Sequence, residues 1–174
     1  MKRGSLILPA LCVAAIMAAA GFIVPAHAET IMSFPMDSLD GVITRSGVTV
    51  DTAVSSDGDG SLRIETSGPV VVRLFEVENL NVEDARLIYQ AKLRTENLRG
   101  QAYLEMWLRF PEKGEFFSRG LQDALSGSNE WSSAQTPFFL QKGEVPDLAK
   151  LNLVINGKGV VWIDEVALVK GPLR

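Results

Sequence analysis

Apolar residues in the longest patterned stretches of this chain recur at every second position. That is the period of a strand with one buried face, not of an amphipathic helix. Between Arg86 and Thr95 the apolar set is Leu87, Tyr89, Ala91 and Leu93; between Gln101 and Phe110 it is Ala102, Leu104, Met106, Leu108 and Phe110. Val48, Val50 and Val54, then Leu62 and Ile64, repeat the pattern in shorter stretches, and Val70 to Val77 and Ala134 to Gln141 read as further strands. Turn chemistry separates them: Ser55-Ser56-Asp57-Gly58-Asp59-Gly60 and Ser67-Gly68-Pro69. Glu96 to Gly100 is expected to close an antiparallel hairpin, and Asn156-Gly157-Lys158-Gly159 a second one, between Lys150–Asn156 and Gly159–Lys170. Pro111 to Ser133 reads as a long polar insertion with a short helix over Arg119–Ser126. Eight to ten short strands with little helix predict an all-β fold, an antiparallel β-sandwich.

Met1 to Ala28 has the composition of a secretory signal: Lys2 and Arg3, a mostly apolar stretch from Leu6 to Val24, and Ala26-His27-Ala28 as a cleavage site. Cleavage would leave residues 29–174 as one domain of 146 residues. The only cysteine, Cys12, and the only histidine, His27, belong to the removed segment. A mature chain without them lacks thiol nucleophiles, disulfides, imidazole bases and His/Cys metal sites. Losing Lys2 and Arg3 leaves 15 basic side chains against 21 acidic ones, a net charge of −6. Nucleic acid and anionic membrane both select clustered basic surface, so neither is an expected partner. No later apolar run approaches the ~18 residues needed to cross a bilayer, so no membrane insertion is expected after cleavage. Together these features predict a periplasmic or secreted domain.

The stretch Gln101–Phe110 carries the sharpest functional signal. Opposite its apolar face lie Tyr103, Glu105, Trp107 and Arg109, aromatic and charged residues alternating at period two. If Glu96–Gly100 closes a hairpin, Gln90, Lys92 and Arg94 join them on one patch. The long insertion, with Phe116, Phe117, Arg119, Gln122 and Trp131, would then form a lid or rim over the patch; the competing expectation is that it covers Tyr103 and Trp107 as a second small core, anchored by Phe116, Phe117 and Trp131. Hydrolysis of a glycoside needs two carboxylates flanking a cleft. Glu105 is one candidate, with Glu112, Glu115 or Asp123 as the other, but nothing in the spacing pairs them. The expectation is a protein that is not an enzyme.

Short motifs add a resemblance. Asp57-Gly58-Asp59-Gly60-Ser61-Leu62-Arg63-Ile64 opens a strand, Glu130-Trp131 precedes Thr136-Pro137-Phe138, Leu151 to Ile155 follows, and Gly157-Lys158-Gly159-Val160-Val161-Trp162-Ile163-Asp164-Glu165-Val166-Ala167-Leu168 closes the chain. This arrangement resembles the galactose-binding-domain-like β-sandwiches, among them jelly-roll carbohydrate-binding modules. The resemblance implies a non-catalytic domain that recognises carbohydrate. Flat sugar faces would stack on Tyr103 and Trp107, and hydroxyls would pair with Glu105, Arg109, Gln90, Lys92 and Arg94. An envelope protein is the alternative partner. The resemblance also implies a structural calcium held by Asp164 with an acid near the mature N-terminus, Asp37, with Asp40, Asp57 and Asp59 as further oxygen donors. Against it, Asp164 would simply accept backbone N–H bonds.

Overall fold

A computed structural model describes residues 28–173. The predicted signal segment, with Cys12 and His27, lies outside the described residues except for Ala28. Eight strands follow in order: β1 (Glu29–Phe34), β2 (Val48–Asp51), β3 (Ser61–Thr66), β4 (Val70–Glu78), β5 (Ala85–Phe110), β6 (Gly114–Arg119), β7 (Leu125–Leu140) and β8 (Leu148–Pro172). All pairings are antiparallel. A single 3-10 turn, Leu121–Asp123, replaces the helix expected over Arg119–Ser126, and most of the expected insertion is strand. No helix among the described residues is long and apolar enough to cross a membrane.

Neither expected hairpin forms. β5 runs through Glu96–Gly100 without reversing, β8 runs through Asn156–Gly159, and the two pair from Ala85↔Pro172 to Arg109↔Leu148. A straight ribbon of 26 and 25 residues would be about 80 Å long. A domain of this size has a radius of gyration of only about 15 Å, so the ribbon must bend. The bend is written in the backbone. Asn97, Gly100 and Gly159 have φ of 52°, 133° and 148°, and the register slips between Glu96 and Arg99. The buried positions of β5 accordingly switch from odd (Leu87, Tyr89, Ala91, Leu93) to even (Ala102, Leu104, Met106, Leu108).

The bend makes two layers from one continuous sheet. The first holds β2, β3, the C-terminal half of β8, the N-terminal half of β5 and β7, with β1 added along β8. The second holds β4, the N-terminal half of β8, the C-terminal half of β5 and β6. Both halves of both long strands feed the same hydrophobic core. Phe34 of β1 stacks on Phe75 of β4 with ring centroids 3.7 Å apart, joining the layers at one side.

Within this core the Tyr89 hydroxyl is buried with no hydrogen-bond partner among the described residues. Burial pushes its ionisation well above the usual tyrosine range. A donor left unsatisfied contributes only its desolvation cost. Tyr89→Phe is therefore expected to be neutral or to stabilise the protein by up to about 1 kcal/mol in urea unfolding; a loss above that would show that the hydroxyl is paired.

Candidate functional site

The outer face of the second layer is built by alternation. Because Leu104, Met106 and Leu108 point into the core, Tyr103, Glu105, Trp107 and Arg109 point out. Register sets their neighbours: Glu105 lies between Asn152 of β8 and Arg119 of β6, and Trp107 between Lys150 and Phe117.

Glu105 is 5% exposed although it lies on the outer face. Its Oε1 accepts from Trp107 Nε1 at 2.8 Å and from Asn152 Nδ2 at 3.3 Å, and its Oε2 accepts from Arg119 Nε at 2.7 Å. Burial, the largest single influence, pushes the carboxyl up. The bonds from Arg119, Trp107 and Asn152, with the Arg119 charge, together outweigh it and hold Glu105 below the ordinary glutamate value. Arg119 in turn sits 4.5 Å over the Phe117 ring, and Phe117 meets Trp107 with centroids 5.0 Å apart at 43°. The contacts close a cycle: Trp107 to Glu105, Glu105 to Arg119, Arg119 to Phe117, Phe117 to Trp107. Trp107 is half-buried and fixed by that cycle, while Phe117 is 50% exposed. β6 thus flanks Trp107 instead of covering it, so no second core forms there.

The two ends of the face differ. Tyr103 is half-buried beside Val71, Val154 and Pro69 in a shallow cleft of about 200 Å³. Arg109 donates to Asp147 through Nε at 2.9 Å and an Nη at 3.0 Å. That pair raises the arginine and lowers the aspartate from their ordinary values. Arg109 lies on the face, but two of its donors are already engaged.

Gln90, Lys92 and Arg94 do not join this patch. They lie on the other half of β5, across the bend, where the inward positions are odd and the outward ones even. Since both halves turn their apolar sides to one core, their polar sides face away from each other. On that opposite face Lys92 Nζ donates to Ser133 Oγ at 3.0 Å. Arg94 bonds Glu130 and, with Arg63, flanks the Trp162 ring at 5.8 and 5.7 Å. Trp162 donates from Nε1 to Asp51 Oδ2 at 2.9 Å and is nearly covered. A polar cleft of about 480 Å³ runs beside Gln90, Lys92, Ser133, Gln135, Asp123 and Glu165, with no aromatic ring lining it.

Asp164 is fully buried at an irregularity in the β5–β8 register, next to Glu165 with φ 49°. Its Oδ2 accepts from Ser56 N at 2.8 Å and Ser55 Oγ at 3.3 Å, and its Oδ1 accepts from Glu165 N at 2.8 Å. Asp37 is exposed and lies at the foot of the same loop, its Cα 3.5 Å from where a side chain on Gly60 would begin. Asp57 turns its Oδ1 inward to the loop, where it accepts from Ser55 Oγ and Asp59 N. N–H and O–H donors converge on Asp164, whereas a cation needs converging oxygens. The residues therefore do not fit the calcium site implied by the resemblance. Among the described residues no group of three or more acidic, histidine or cysteine side chains is placed to hold a metal.

Of the further members of the site, the sequence offered Phe117 and Arg119 only as part of a lid or rim over the patch, and Asn152 not at all. The first two sat in a stretch read as insertion, and Asn152 is a single polar residue inside the apolar run Leu151–Ile155.

No protein-family model matches this chain, and no curated protein is similar to it in sequence. Its structure is similar to solved ones. The CBM22-1 xylan-binding domain of Paenibacillus barcinonensis Xyn10C superposes with TM-score 0.56 at 14% identity, over 85% of this chain and 97% of that one. A family 16 carbohydrate-binding module gives TM-score 0.52 at 9% identity, over 70% and 84% of the two chains. A family 30 module gives 0.51 at 11%, over 83% and 94%. Identities this low carry the fold alone. That fold is the one the motifs pointed to: the chain is an antiparallel β-sandwich of jelly-roll type.

Proposed function

We propose that this protein is an exported, non-catalytic module that binds carbohydrate on the outer face of the layer formed by β4, β8, β5 and β6. The observation that carries the reading is the fixed Trp107 ring. A sugar face needs a flat aromatic surface beside hydrogen-bonding groups. Trp107 and Phe117 supply the surface, and Arg119, Asn152 and Tyr103 supply polar atoms around it. The cycle of contacts locks the ring before any ligand arrives, which lowers the entropy cost of binding. The likeness to carbohydrate-binding modules, one named as xylan-binding, supports the same ligand class. Export rests on the signal-like start of the chain.

The arrangement of acids favours binding over turnover. Glu105 is held ionised by three donors. Glu115 is paired with Lys150 at 2.6 Å. Glu112 sits in the β5–β6 turn, and Asp123 lines the cleft on the far face. Neither cleft described above is flanked by two of these four acids; the far-face cleft sets Asp123 with Glu165, whose Oε1 already accepts from Ser56 Oγ at 2.5 Å.

Affinity electrophoresis of the purified protein in gels containing xylan, β-glucan or mannan tests the reading. Retardation by at least one polysaccharide is expected. Trp107→Ala should weaken it at least about tenfold, a loss of ~1.4 kcal/mol, with the melting temperature monitored in parallel. Gln90→Ala, on the opposite face, should leave it unchanged. Equal retardation of native protein and folded Trp107→Ala would remove this face as the site.

A further inference from the structure

The two edges of the second layer are finished differently. β4 is covered by the segment at residues 42–44: Ile43 N donates to Leu74 O at 3.1 Å, Thr44 N to Arg73 O at 2.9 Å, and Arg73 N to Thr44 Oγ1 at 3.0 Å. β6, at the other edge, pairs only with β5 among the described residues. Gly114–Arg119 contains neither Lys nor Pro, the residues that commonly guard an exposed edge. Two large rings stand along it, Phe116 and Phe117, 47% and 50% exposed.

The register shows which backbone groups are free. Gly120 N donates to Leu104 O at 2.9 Å, so the even positions of β6 turn their N–H and C=O toward β5. The odd positions, Glu115, Phe117 and Arg119, turn theirs outward. An incoming antiparallel strand must bond those odd residues. If it is a second β6, only odd-to-odd registers satisfy both edges. Setting Phe117 opposite Glu115 of its partner places Lys113 opposite Arg119, two like charges. Setting Phe117 opposite Arg119 leaves Glu115 without a cation. Setting Phe117 opposite Phe117 places Glu115 opposite Arg119 twice, related by a two-fold axis. Glu115 uses Oε1 for Lys150, and Arg119 uses Nε for Glu105. Glu115 Oε2 and the Arg119 terminal nitrogens can therefore meet across the axis.

We propose that β6 pairs with β6 of a second copy of this chain, in the register centred on Phe117. The pairing joins two second layers into one continuous sheet and sets both Trp107–Phe117 patches on one face. It is self-complementary, as a two-fold contact must be. A six-residue edge is short, so the dimer belongs to the weak, concentration-dependent class. The inference stands on edge geometry and charge, independently of the ligand.

Sedimentation velocity over a concentration series reads the association, and cross-linking reads the register. Weight-average mass is expected to climb from one chain toward two, and Glu115→Lys, which puts like charges across the axis, should hold it at one. In a Cys12→Ala background, Phe117→Cys should cross-link with a short bis-maleimide, because the two positions lie about 5.5 Å apart. Glu115→Cys should not, because its two copies are separated by four residues of strand, about 13 Å. A thermal melt and native-like circular dichroism of each variant separate misfolding from loss of pairing. A single-chain mass at every concentration, a dimer indifferent to folded Glu115→Lys, or equal cross-linking at 115 and 117 would each overturn the proposal. The first of these outcomes is also the one expected if a strand of some other protein occupies the edge.

Discussion

Gly100→Ala is expected to cost more than about 3 kcal/mol, a large share of the 5–15 kcal/mol that holds a typical domain folded. Two effects combine at this position. Its φ of 133° lies where side chains other than glycine's are strained. A β-carbon there would also lie 2.8 Å from the Gly157 Cα and closer still to the Asn156 carbonyl oxygen. Those obstacles are backbone atoms of the paired strand, which cannot rotate away. Gly157 faces the reciprocal clash with Arg99 and Gly100. The two glycines meet at the bend of the β5–β8 ribbon, so parting them unbends the fold itself. Gly127→Ala isolates the backbone effect, since its φ is 78° and nothing lies within 4 Å of an added β-carbon; about 1 kcal/mol is expected there. Urea unfolding of both variants checks the contrast. If Gly100→Ala melted like Gly127→Ala, the ribbon would not be closely packed at its bend.

Replacing Glu105 by alanine should destabilise the protein by about 2–3 kcal/mol and disable the binding face with it. The substitution strips Asn152, a buried side chain, and Trp107 Nε1 of their shared acceptor, and leaves Arg119 without its carboxylate. Arg119 regains water because it is 41% exposed, which limits the loss. Trp107 then loses its fixed orientation, so glycan retardation should fall even where the protein remains folded. The same site predicts a pH dependence. Glu105 is held below the ordinary glutamate range in the folded protein, so the unfolded chain takes up the proton first as pH falls. Its stabilisation is complete above the unfolded value of about 4.3 and fades as pH falls through the lower folded one. The stability gap between native protein and Glu105→Gln should therefore be constant from pH 8 to about pH 5 and narrow below that. A gap that widened on acidification would mean that burial, not the donors, dominates this carboxylate.

Residue spacing alone carried much of this molecule. Alternation in 86–95 and 101–110 identified the inward residues of both halves of β5 correctly, because a strand exposes its two faces by parity and burial selects one. The outward set Tyr103, Glu105, Trp107 and Arg109 followed from the same parity. The motifs at 57–64 and 157–168 led to the right fold, since turn and closing-strand chemistry is local. Spacing could not tell a hairpin from a bend at Glu96–Gly100 and Asn156–Gly159. Both need glycine and positive φ, and the choice depends on which distant strand supplies hydrogen bonds. β5 and β8 supply them to each other along their whole length, and that long-range pairing sends Gln90, Lys92 and Arg94 to the far side of the sandwich. Parity was thus a property of the chain, whereas the grouping of Trp107 with Phe117, Arg119 and Asn152 was decided by tertiary structure, because cross-strand register joins residues that no local period relates.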